Sequence, residues 1–171
     1  MKPLTKRGTE ATLRCRRGGA CRILQFPLLF IAAVAAIAAA PGLGNGFAYD
    51  DVHLVFRNER VHDLGRLPAL FLESYWPPTP LGPDGRLYRP LTAAAFTVQW
   101  ALGGGSPFIY HLASAGLYIL VSLLVLALAT RILPLGPATA AAALFAAHPL
   151  HTEVVGNVVG QGELLAAGWG I

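Results

Sequence analysis

The chain has 171 residues, of which 54% are hydrophobic and only 13% are charged. An ordinary soluble domain carries charge on about a quarter of its residues, so this composition indicates a membrane protein. The net charge of +4 does not indicate nucleic-acid binding, because seven of the 13 lysines and arginines precede the first apolar segment.

Residues 1–22 are predicted to form a basic leader in the cytoplasm, where positive residues beside a first membrane span remain. The two cysteines of the chain, Cys15 and Cys21, both lie in this leader. A reducing compartment disfavours a disulfide between them, and they lack the further His or Cys residues of a zinc site.

Residues 23–40 form the first predicted transmembrane helix, which runs outward from the cytoplasm and has nearly the 20 apolar residues that a span requires. The alternative is a secretory signal peptide cleaved at the alanines of residues 38–40. The apolar stretch is long for a signal peptide, and Pro41 directly after the site should hinder cleavage. We therefore expect a membrane span.

Residues 41–106 are predicted to form a structured extracytoplasmic loop, because charged, proline, glycine and aromatic residues return here. Near its start lies the acidic pair Asp50-Asp51. Each carboxylate would cost roughly 2.5 to 3.5 kcal/mol at the centre of a membrane helix, so the pair belongs at the membrane-water boundary. An acid held there can meet a lipid-linked substrate, although such a pair is also common as solvated surface.

Apolar residues recur at helical spacing between residues 67 and 76 and are followed by Pro77-Pro78, which stops a helix. The spacing predicts a short amphipathic helix, which either lies on the membrane or packs on the loop itself. The residues that carry this pattern are Leu67, Leu70, Phe71, Tyr75 and Trp76. A turn is predicted at residues 83–85, and beyond it Arg89 either pairs with a loop acid such as Asp84 or contacts a phosphate.

Residues 107–130 form the clearest predicted transmembrane helix, which runs inward and closes at Arg131. Polar side chains at intervals of three and four residues lie along one stripe of it, beginning at His111. Such a stripe usually bonds neighbouring helices, and substrate contact by His111 is the alternative. Residues 131–137 form a predicted cytoplasmic turn.

Residues 138–147 are predicted to cross outward as a third transmembrane helix, which is short for a full span. Residues 148–163 then form an extracytoplasmic loop, and residues 164–171 begin a further, truncated transmembrane helix. The chain is therefore expected to be a fragment of a longer protein.

The loop after the third span begins with the motif His148-Pro149-Leu150-His151-Thr152-Glu153. His148, His151 and Glu153 have the donor types of metal ligands, but their spacing is not that of a known zinc motif. They are more consistent with hydrogen bonds to a substrate phosphate, or with a polar knot that holds the loop to the helices.

Four ordered blocks of this sequence resemble the N-terminal membrane region of the transmembrane O-mannosyltransferases that carry tetratricopeptide repeats, and of their bacterial relatives. These enzymes are members of the GT-C superfamily of glycosyltransferases. The resemblance extends from about residue 23 to the end, and the order of the blocks makes it specific. The blocks are residues 46–51, 88–92, 106–112 and 145–153.

The resemblance implies an all-α, polytopic membrane protein with a GT-C-like helical bundle. It implies transfer of a sugar, mannose by analogy, from a polyprenyl-phosphate carrier to an acceptor hydroxyl such as protein Ser or Thr, on the periplasmic or lumenal face. The catalytic acid of such families maps onto Asp50 or Asp51. The expected partners are membrane lipid, the lipid-linked donor and a protein acceptor, with neither a metal nor another cofactor. The expected substrate-binding residues are Arg89, His111, His148, His151 and Glu153.

One segment departs from the pattern of that family. Where Gly-Arg-Ala followed by an acidic residue is expected, this chain has Gly160-Gln161-Gly162-Glu163. A glutamine has neither the charge nor the fork of donors of an arginine, which puts a phosphate-binding role of this position in doubt. The alternative function is a non-catalytic membrane anchor for a tetratricopeptide-repeat scaffold.

Overall fold

The computed structural model describes residues 25–78 and 87–171. The described residues form helices, turns and irregular segments without a β-strand, which confirms the all-α fold class. The basic leader, both cysteines, the predicted turn at residues 83–85 and Asp84 lie outside the described residues.

Among the described residues, two helices are long and apolar enough to cross a membrane, and both coincide with predicted spans. Helix α1 is described from Gln25 to Gly44, and its last turn, Ala40–Gly44, is a 3-10 helix. Helix α4 spans Pro107–Ala129 and ends at a cap on Thr130, within one residue of its predicted end. Helices α2 (Leu67–Leu70) and α3 (Pro90–Gly103) lie between them in the chain. Pro107 suits the first turn of α4 because the amide hydrogen it lacks would have no partner within the helix.

Helix α5 spans Leu135–Ala146 and is too short to span a membrane alone. At about 1.5 Å per residue its 12 residues extend for roughly 18 Å, whereas a hydrocarbon core is about 30 Å thick. It begins three residues before its predicted start at residue 138, because Pro137 is tolerated in the first turn of a helix.

The predicted loop of residues 41–106 contains a helix that the sequence analysis did not anticipate. Helix α3 spans Pro90–Gly103 and packs against α4. Pro90 occupies its first turn, and Gly104 ends it in the left-handed conformation with φ of +56°. Proline at the start and glycine after the end are ordinary boundary signals, so the sequence does contain the information for this helix.

The amphipathic helix predicted up to Trp76 is wrong in extent. Helix α2 covers only Leu67–Leu70, and the chain then turns, with Leu72 N donating to Ala69 O. Tyr75 does not continue this helix, because its amide donates to Leu87 O at 2.9 Å. Of the patterned residues, Leu70 and Tyr75 are buried.

The predicted loop of residues 148–163 also contains a helix. Helix α6 spans His151–Gly156, and helix α7 spans Gln161–Gly170. Helix α7 runs beside α4, because Gln161 bonds Tyr110 O near the start of α4 and Gly168 lies near Val121 further along it.

The buried apolar residues form three clusters along the bundle. The cluster at the end near Arg131 joins α1, α4 and α5, and the middle cluster joins these helices to α6 and α7. The cluster at the opposite end, called here the first-loop end, joins the first loop to α3, α4 and the segment after α6. Representative members, in that order, are Ile31 and Leu126, then Ala35 and Tyr118, then Tyr110 and Val158.

Candidate functional site

Asp51 connects the first loop to the segment that follows α6. Its side chain is fully buried, and its carboxylate accepts hydrogen bonds from Val159 N at 2.9 Å and from Val158 N at 3.1 Å. A third amide, Ala48 N, donates to its other oxygen at 3.3 Å. Residues more than 100 positions apart in the chain are therefore held together by one side chain.

The turn that carries the acidic pair is closed by two hydrogen bonds between Ala48 and Asp51. Asp51 N donates to Ala48 O at 3.0 Å while Ala48 N donates to the Asp51 carboxylate, in the manner of a capping box. Between them Tyr49 has a φ of +47°, a left-handed conformation that is strained for a residue with a Cβ atom. The bonds of Asp51 keep this strained turn in place.

Asp50 has the opposite environment to its neighbour. It is exposed, and no hydrogen bond or ion pair of its side chain occurs among the described residues. Successive helical residues point about 100° apart, so burial of Asp51 directs Asp50 away from the core. The two carboxylates that the sequence could not distinguish are thus separated by the fold.

Arg89 and Tyr75 lie near the acidic pair. The Arg89 guanidinium carbon lies 5.7 Å from the centre of the Tyr75 ring, within the range of a cation–π contact. Burial raises the pKa of Tyr75 above its ordinary value, the Arg89 cation lowers it, and the charges of Asp51 and Asp50 raise it. The phenol therefore lies within electrostatic reach of both acids and of Arg89.

Arg89 also lies against the start of α7. A Cβ atom added to Gly162 would lie 2.8 Å from Arg89 Nη1, so the absence of a side chain at Gly162 makes room for the guanidinium. Arg89 forms no ion pair within residues 25–78 and 87–171. The pairing with Asp84 that the sequence also allows lies outside the described residues. Among the described residues, Arg89 is a partly buried cation near the acidic turn without an ion pair to a carboxylate.

Gln161, where the family pattern predicts an arginine, is part of a buried amide pair. Its Nε2 donates to Gln99 Oε1 at 3.0 Å and to Tyr110 O at 3.0 Å, while Gln99 Nε2 donates to Gln161 Oε1 at 2.8 Å. Gln161 is fully buried. Its side chain ties together α3, α4 and α7 and does not face a substrate.

His151 is oriented by the end of α5. Its Nδ1 lies 2.9 Å from Phe145 O and 3.0 Å from the Tyr118 hydroxyl, which itself donates to Ala146 O. A carbonyl oxygen only accepts, so the contact with Phe145 O places a proton on Nδ1. Nε2 of His151 is not used by these contacts.

His148 and Glu153 complete the motif on the exposed side. The rings of His148 and His151 lie 5.6 Å apart between centres, and Leu150 N donates to His148 Nδ1 at 3.3 Å. Glu153 is exposed at the start of α6. Within the part of the chain that the structure describes, no three His, Cys, Asp or Glu side chains are grouped as metal ligands would be.

The acids and the imidazoles lie at different depths of the bundle. His151 lies at the level of Tyr118, whose hydroxyl it contacts. The segment bound by Asp51 lies at the level of Tyr110, because Gln161, just after this segment, donates to Tyr110 O. Eight residues along α4 separate these levels by roughly 12 Å at 1.5 Å per residue. Helix α6 rises from one level towards the other.

His111, which the sequence suggested as a substrate contact, is only 1% exposed. Neither of its ring nitrogens has a hydrogen-bond partner within the described residues. Other members of its polar stripe bond within α4 or to α5. Ser114 Oγ donates to Tyr110 O, Ser122 Oγ donates to Tyr118 O, and the Tyr118 hydroxyl donates to Ala146 O.

Three residues that help to form this site have no functional role predicted from the sequence. Tyr75 belongs only to the predicted amphipathic pattern, and Gln99 belongs to no predicted motif. Gly162 was noted only as part of the departure from the family pattern. A glutamine within an otherwise apolar helix, as at Gln99, is a signal that such a residue bonds another helix.

Comparison with known proteins confirms the resemblance found in the motifs. The chain is 36% identical over 124 residues to Protein O-mannosyl-transferase TMTC3 of Mus musculus, which covers 71% of this chain and 13% of that protein. It is 35% identical over 147 residues to Protein O-mannosyl-transferase Tmtc2 of Drosophila melanogaster, covering 84% of this chain and 16% of that protein. With Protein O-mannosyl-transferase Tmtc1 of the same organism it shares 34% over 160 residues, covering 90% of this chain and 18% of that protein.

The chain thus spans less than a fifth of the length of these relatives. No family model and no solved structure matches it. The two apolar helices and the similarity to these proteins together identify an all-helical membrane protein.

Proposed function

We propose that this chain forms part of an integral membrane glycosyltransferase. The enzyme transfers a sugar, mannose by the names of its relatives, from a polyprenyl-phosphate carrier to an acceptor hydroxyl of a protein. Its first-loop end faces the periplasm or the lumen and its N-terminus faces the cytoplasm. It uses no cofactor beyond the lipid-linked donor.

The observation that best supports this proposal is that the exposed Asp50 and Arg89, which has no ion pair among the described residues, meet at one end of the bundle. Asp51 joins the acidic turn to the segment before α7, and Arg89 lies against the first residues of α7. These two contacts bring Asp50 and Arg89 to the same junction. A base for the acceptor and a cation for the departing phosphate are the two groups that this reaction requires.

In the proposed reaction a first-loop carboxylate takes the proton of the acceptor hydroxyl. The hydroxyl oxygen forms a bond to the anomeric carbon of the sugar as the bond from that carbon to the phosphate oxygen breaks. The polyprenyl phosphate leaves with the electron pair of the broken bond. The fork of donors on Arg89 bonds its oxygens and stabilises the developing charge.

The residues of the motif from His148 to Glu153 have a role in this proposal that differs from the roles of Asp50 and Arg89. Because His151 lies about 12 Å deeper along α4 than the acidic turn, the two groups do not contact the same phosphate. His148 and Glu153 are exposed and His151 is half-buried at this deeper level, where they bond another part of the lipid-linked donor. His111, which is buried, acts only on a substrate that penetrates between the helices.

The test uses the full-length protein in membranes with radiolabelled polyprenyl-phosphate mannose and an acceptor polypeptide. Arg89→Lys keeps the charge but loses the fork, so the KM for the lipid donor should rise by about tenfold, equivalent to one charge-assisted hydrogen bond of about 1.5 kcal/mol. Gly162→Ala should act in the same direction, because the new methyl group displaces Arg89 Nη1.

The matched control is Arg57→Lys, an exposed arginine of the same loop, which should leave the KM for the lipid donor unchanged. If Arg89→Lys and Arg57→Lys have the same KM as the unmodified protein, Arg89 does not bind the phosphate. If the unmodified protein transfers no sugar from any polyprenyl-phosphate donor, the proposed activity is rejected.

The alternative function, a non-catalytic membrane anchor for a repeat scaffold, accounts for the buried bonds of Asp51 and Gln161. It assigns no use to the exposed Asp50 or to Arg89. It predicts that Asp50→Asn and Arg89→Lys leave the amount of glycosylated product unchanged.

A further inference from the structure

The two acids of the first loop have opposite environments, and this difference assigns them different tasks. Asp51 is 0% exposed and accepts hydrogen bonds from three backbone amides. Asp50 is exposed, and its side chain forms no bond within the described residues.

We infer that Asp50 is the carboxylate that receives the proton of the acceptor, and that Asp51 is a positioning residue that fastens the first loop to the segment between α6 and α7. The inference rests on the proposed transferase function and decides between two residues that the proposal leaves equivalent.

The burial of Asp51 excludes direct contact with a substrate. A general base must come within about 2.6–3.2 Å of the group whose proton it takes. Both oxygens of Asp51 already accept amide hydrogens, Oδ1 from Val159 and Val158 and Oδ2 from Val158 and Ala48. An acceptor hydroxyl would have to displace these bonds and open the core around Val158, which is itself fully buried.

The same bonds explain how Asp51 positions Asp50. The turn from Ala48 to Asp51 includes the left-handed Tyr49, a conformation that persists only where the surroundings enforce it. Asp51 enforces it from both ends, by bonding Ala48 within the turn and Val158 and Val159 across the bundle. Asp50 lies between the strained residue and the fastened one, so its direction depends on both.

The fastening also sets the distance between Asp50 and Arg89. Val158 and Val159 lie just before α7, and Arg89 lies against Gly162 in the first turn of α7. Movement of the acidic turn away from Val158 would therefore separate the proposed base from the proposed phosphate contact. Loss of Asp51 should therefore lower kcat, because the base is misplaced, while Arg89 stays against Gly162 and the KM for the lipid donor changes less.

The experiment compares Asp50→Asn, Asp51→Asn and Asp51→Glu with Glu59→Gln, an exposed carboxylate of the same loop. Two measurements are made on the full-length protein in liposomes. The first is kcat and KM for polyprenyl-phosphate mannose across the pH range in which carboxyl groups titrate. The second is amide hydrogen exchange of the peptide that contains Val158 and Val159.

For Asp50→Asn we expect kcat to fall by about 100-fold or more, since a general base contributes about 10²–10⁴-fold. The acidic limb of the pH–rate profile should disappear, and exchange at Val158 and Val159 should not change. For Asp51→Asn we expect exchange to accelerate by about tenfold or more, because about 1.4 kcal/mol of lost protection corresponds to tenfold. Its kcat should fall more than its KM rises, with the acidic limb intact, because Asp50 is misplaced but still present.

Asp51→Glu keeps a carboxylate but moves it by one methylene, so its exchange and kcat should lie between those of the unmodified protein and Asp51→Asn. If Asp51→Asn does not fold, Asp51→Glu tests whether Asp51 fastens the first loop to the segment between α6 and α7. Glu59→Gln should change neither measurement.

Two results would overturn the inference. One is loss of the acidic limb in an Asp51 variant with unchanged exchange, which would make Asp51 the base. The other is an unchanged kcat in Asp50→Asn. If the unmodified protein transfers no sugar, the proposed function and the role of Asp50 fail together, and exchange alone then supports or overturns the fastening by Asp51.

Discussion

The buried amide pair of Gln99 and Gln161 permits a quantitative test of the fold by a double-mutant cycle. Methionine has nearly the shape and the helix propensity of glutamine, but it lacks the amide. Gln161→Met removes three hydrogen bonds and leaves the buried Gln99 amide without its partner. At about 0.5–1.5 kcal/mol for each bond and about 1–3 kcal/mol for a stranded amide, we expect a loss of about 3 kcal/mol in the free energy of unfolding.

The second single variant should cost less than the first. Gln99→Met removes two bonds, but Gln161 Nε2 retains its bond to Tyr110 O, so we expect a loss of about 2 kcal/mol. The double variant strands no amide, and Tyr110 O still accepts from Ser114 Oγ at 3.1 Å. Its loss should be about 2 kcal/mol, well below the sum of the single losses, with a coupling energy of about 3 kcal/mol.

The assay is reversible unfolding of the purified protein in mixed micelles, followed by tryptophan fluorescence. The control is Val98→Met, an exposed neighbour on α3, which should change the free energy of unfolding by less than about 0.5 kcal/mol. Additive losses in the double variant would show that the two amides do not bond each other, and would refute this account of Gln161.

Two further predictions concern the same end of the bundle. Gly160→Ala should destabilise the protein by about 1–3 kcal/mol, because the new Cβ atom would lie 2.1 Å from the backbone oxygen of Val154. The control Gly116→Ala, whose new Cβ atom meets no atom within 4 Å, should be neutral or stabilising. Equal thermal stability of the two variants would contradict this prediction. Tyr75→Phe should raise the free energy of unfolding by about 1 kcal/mol near neutral pH, since the buried hydroxyl has no partner within the described residues. Because burial raises the pKa of Tyr75 in the folded state, ionisation of Tyr75 opposes folding. Stability therefore does not depend on this ionisation below about pH 10 and falls as the pH rises from there through the folded-state pKa. Unfolding measured on both sides of about pH 10 should therefore show a smaller alkaline loss in Tyr75→Phe, and an equal loss in both proteins would reject the role of Tyr75.

The spans could be predicted because lipid imposes a simple requirement on sequence. A helix that crosses the hydrocarbon core needs about 20 apolar residues, and α1 and α4 meet this requirement by composition alone. Helix α3 is not among the predicted helices although its boundary signals are present, because the charged, proline, glycine and aromatic residues of segment 41–106 favour a loop. The helix predicted to reach Trp76 stops at Leu70, because Tyr75 pairs with Leu87 through the backbone, a contact that periodicity cannot foresee.

The site was only partly predictable for a similar reason. The sequence singled out Asp50, Asp51 and Arg89 by residue type and by their order in the four blocks. It could not show that Gln161 faces Gln99, because 62 residues separate them and only the packing of α3 against α7 brings them together. Nor could it show that His151 lies at the level of Tyr118, since this depends on where the short helix α5 ends.

The sequence by itself determined that this chain is helical, that it enters a membrane, and that it resembles the protein O-mannosyl-transferases. These properties follow from composition, from apolar length and from short motifs, all of which are local along the chain. The different environments of Asp50 and Asp51 were decided only by the tertiary structure. Two adjacent carboxylates are chemically alike until a distant segment donates its amides to one of them, and those amides, on Val158 and Val159, come within reach only when the bundle has assembled.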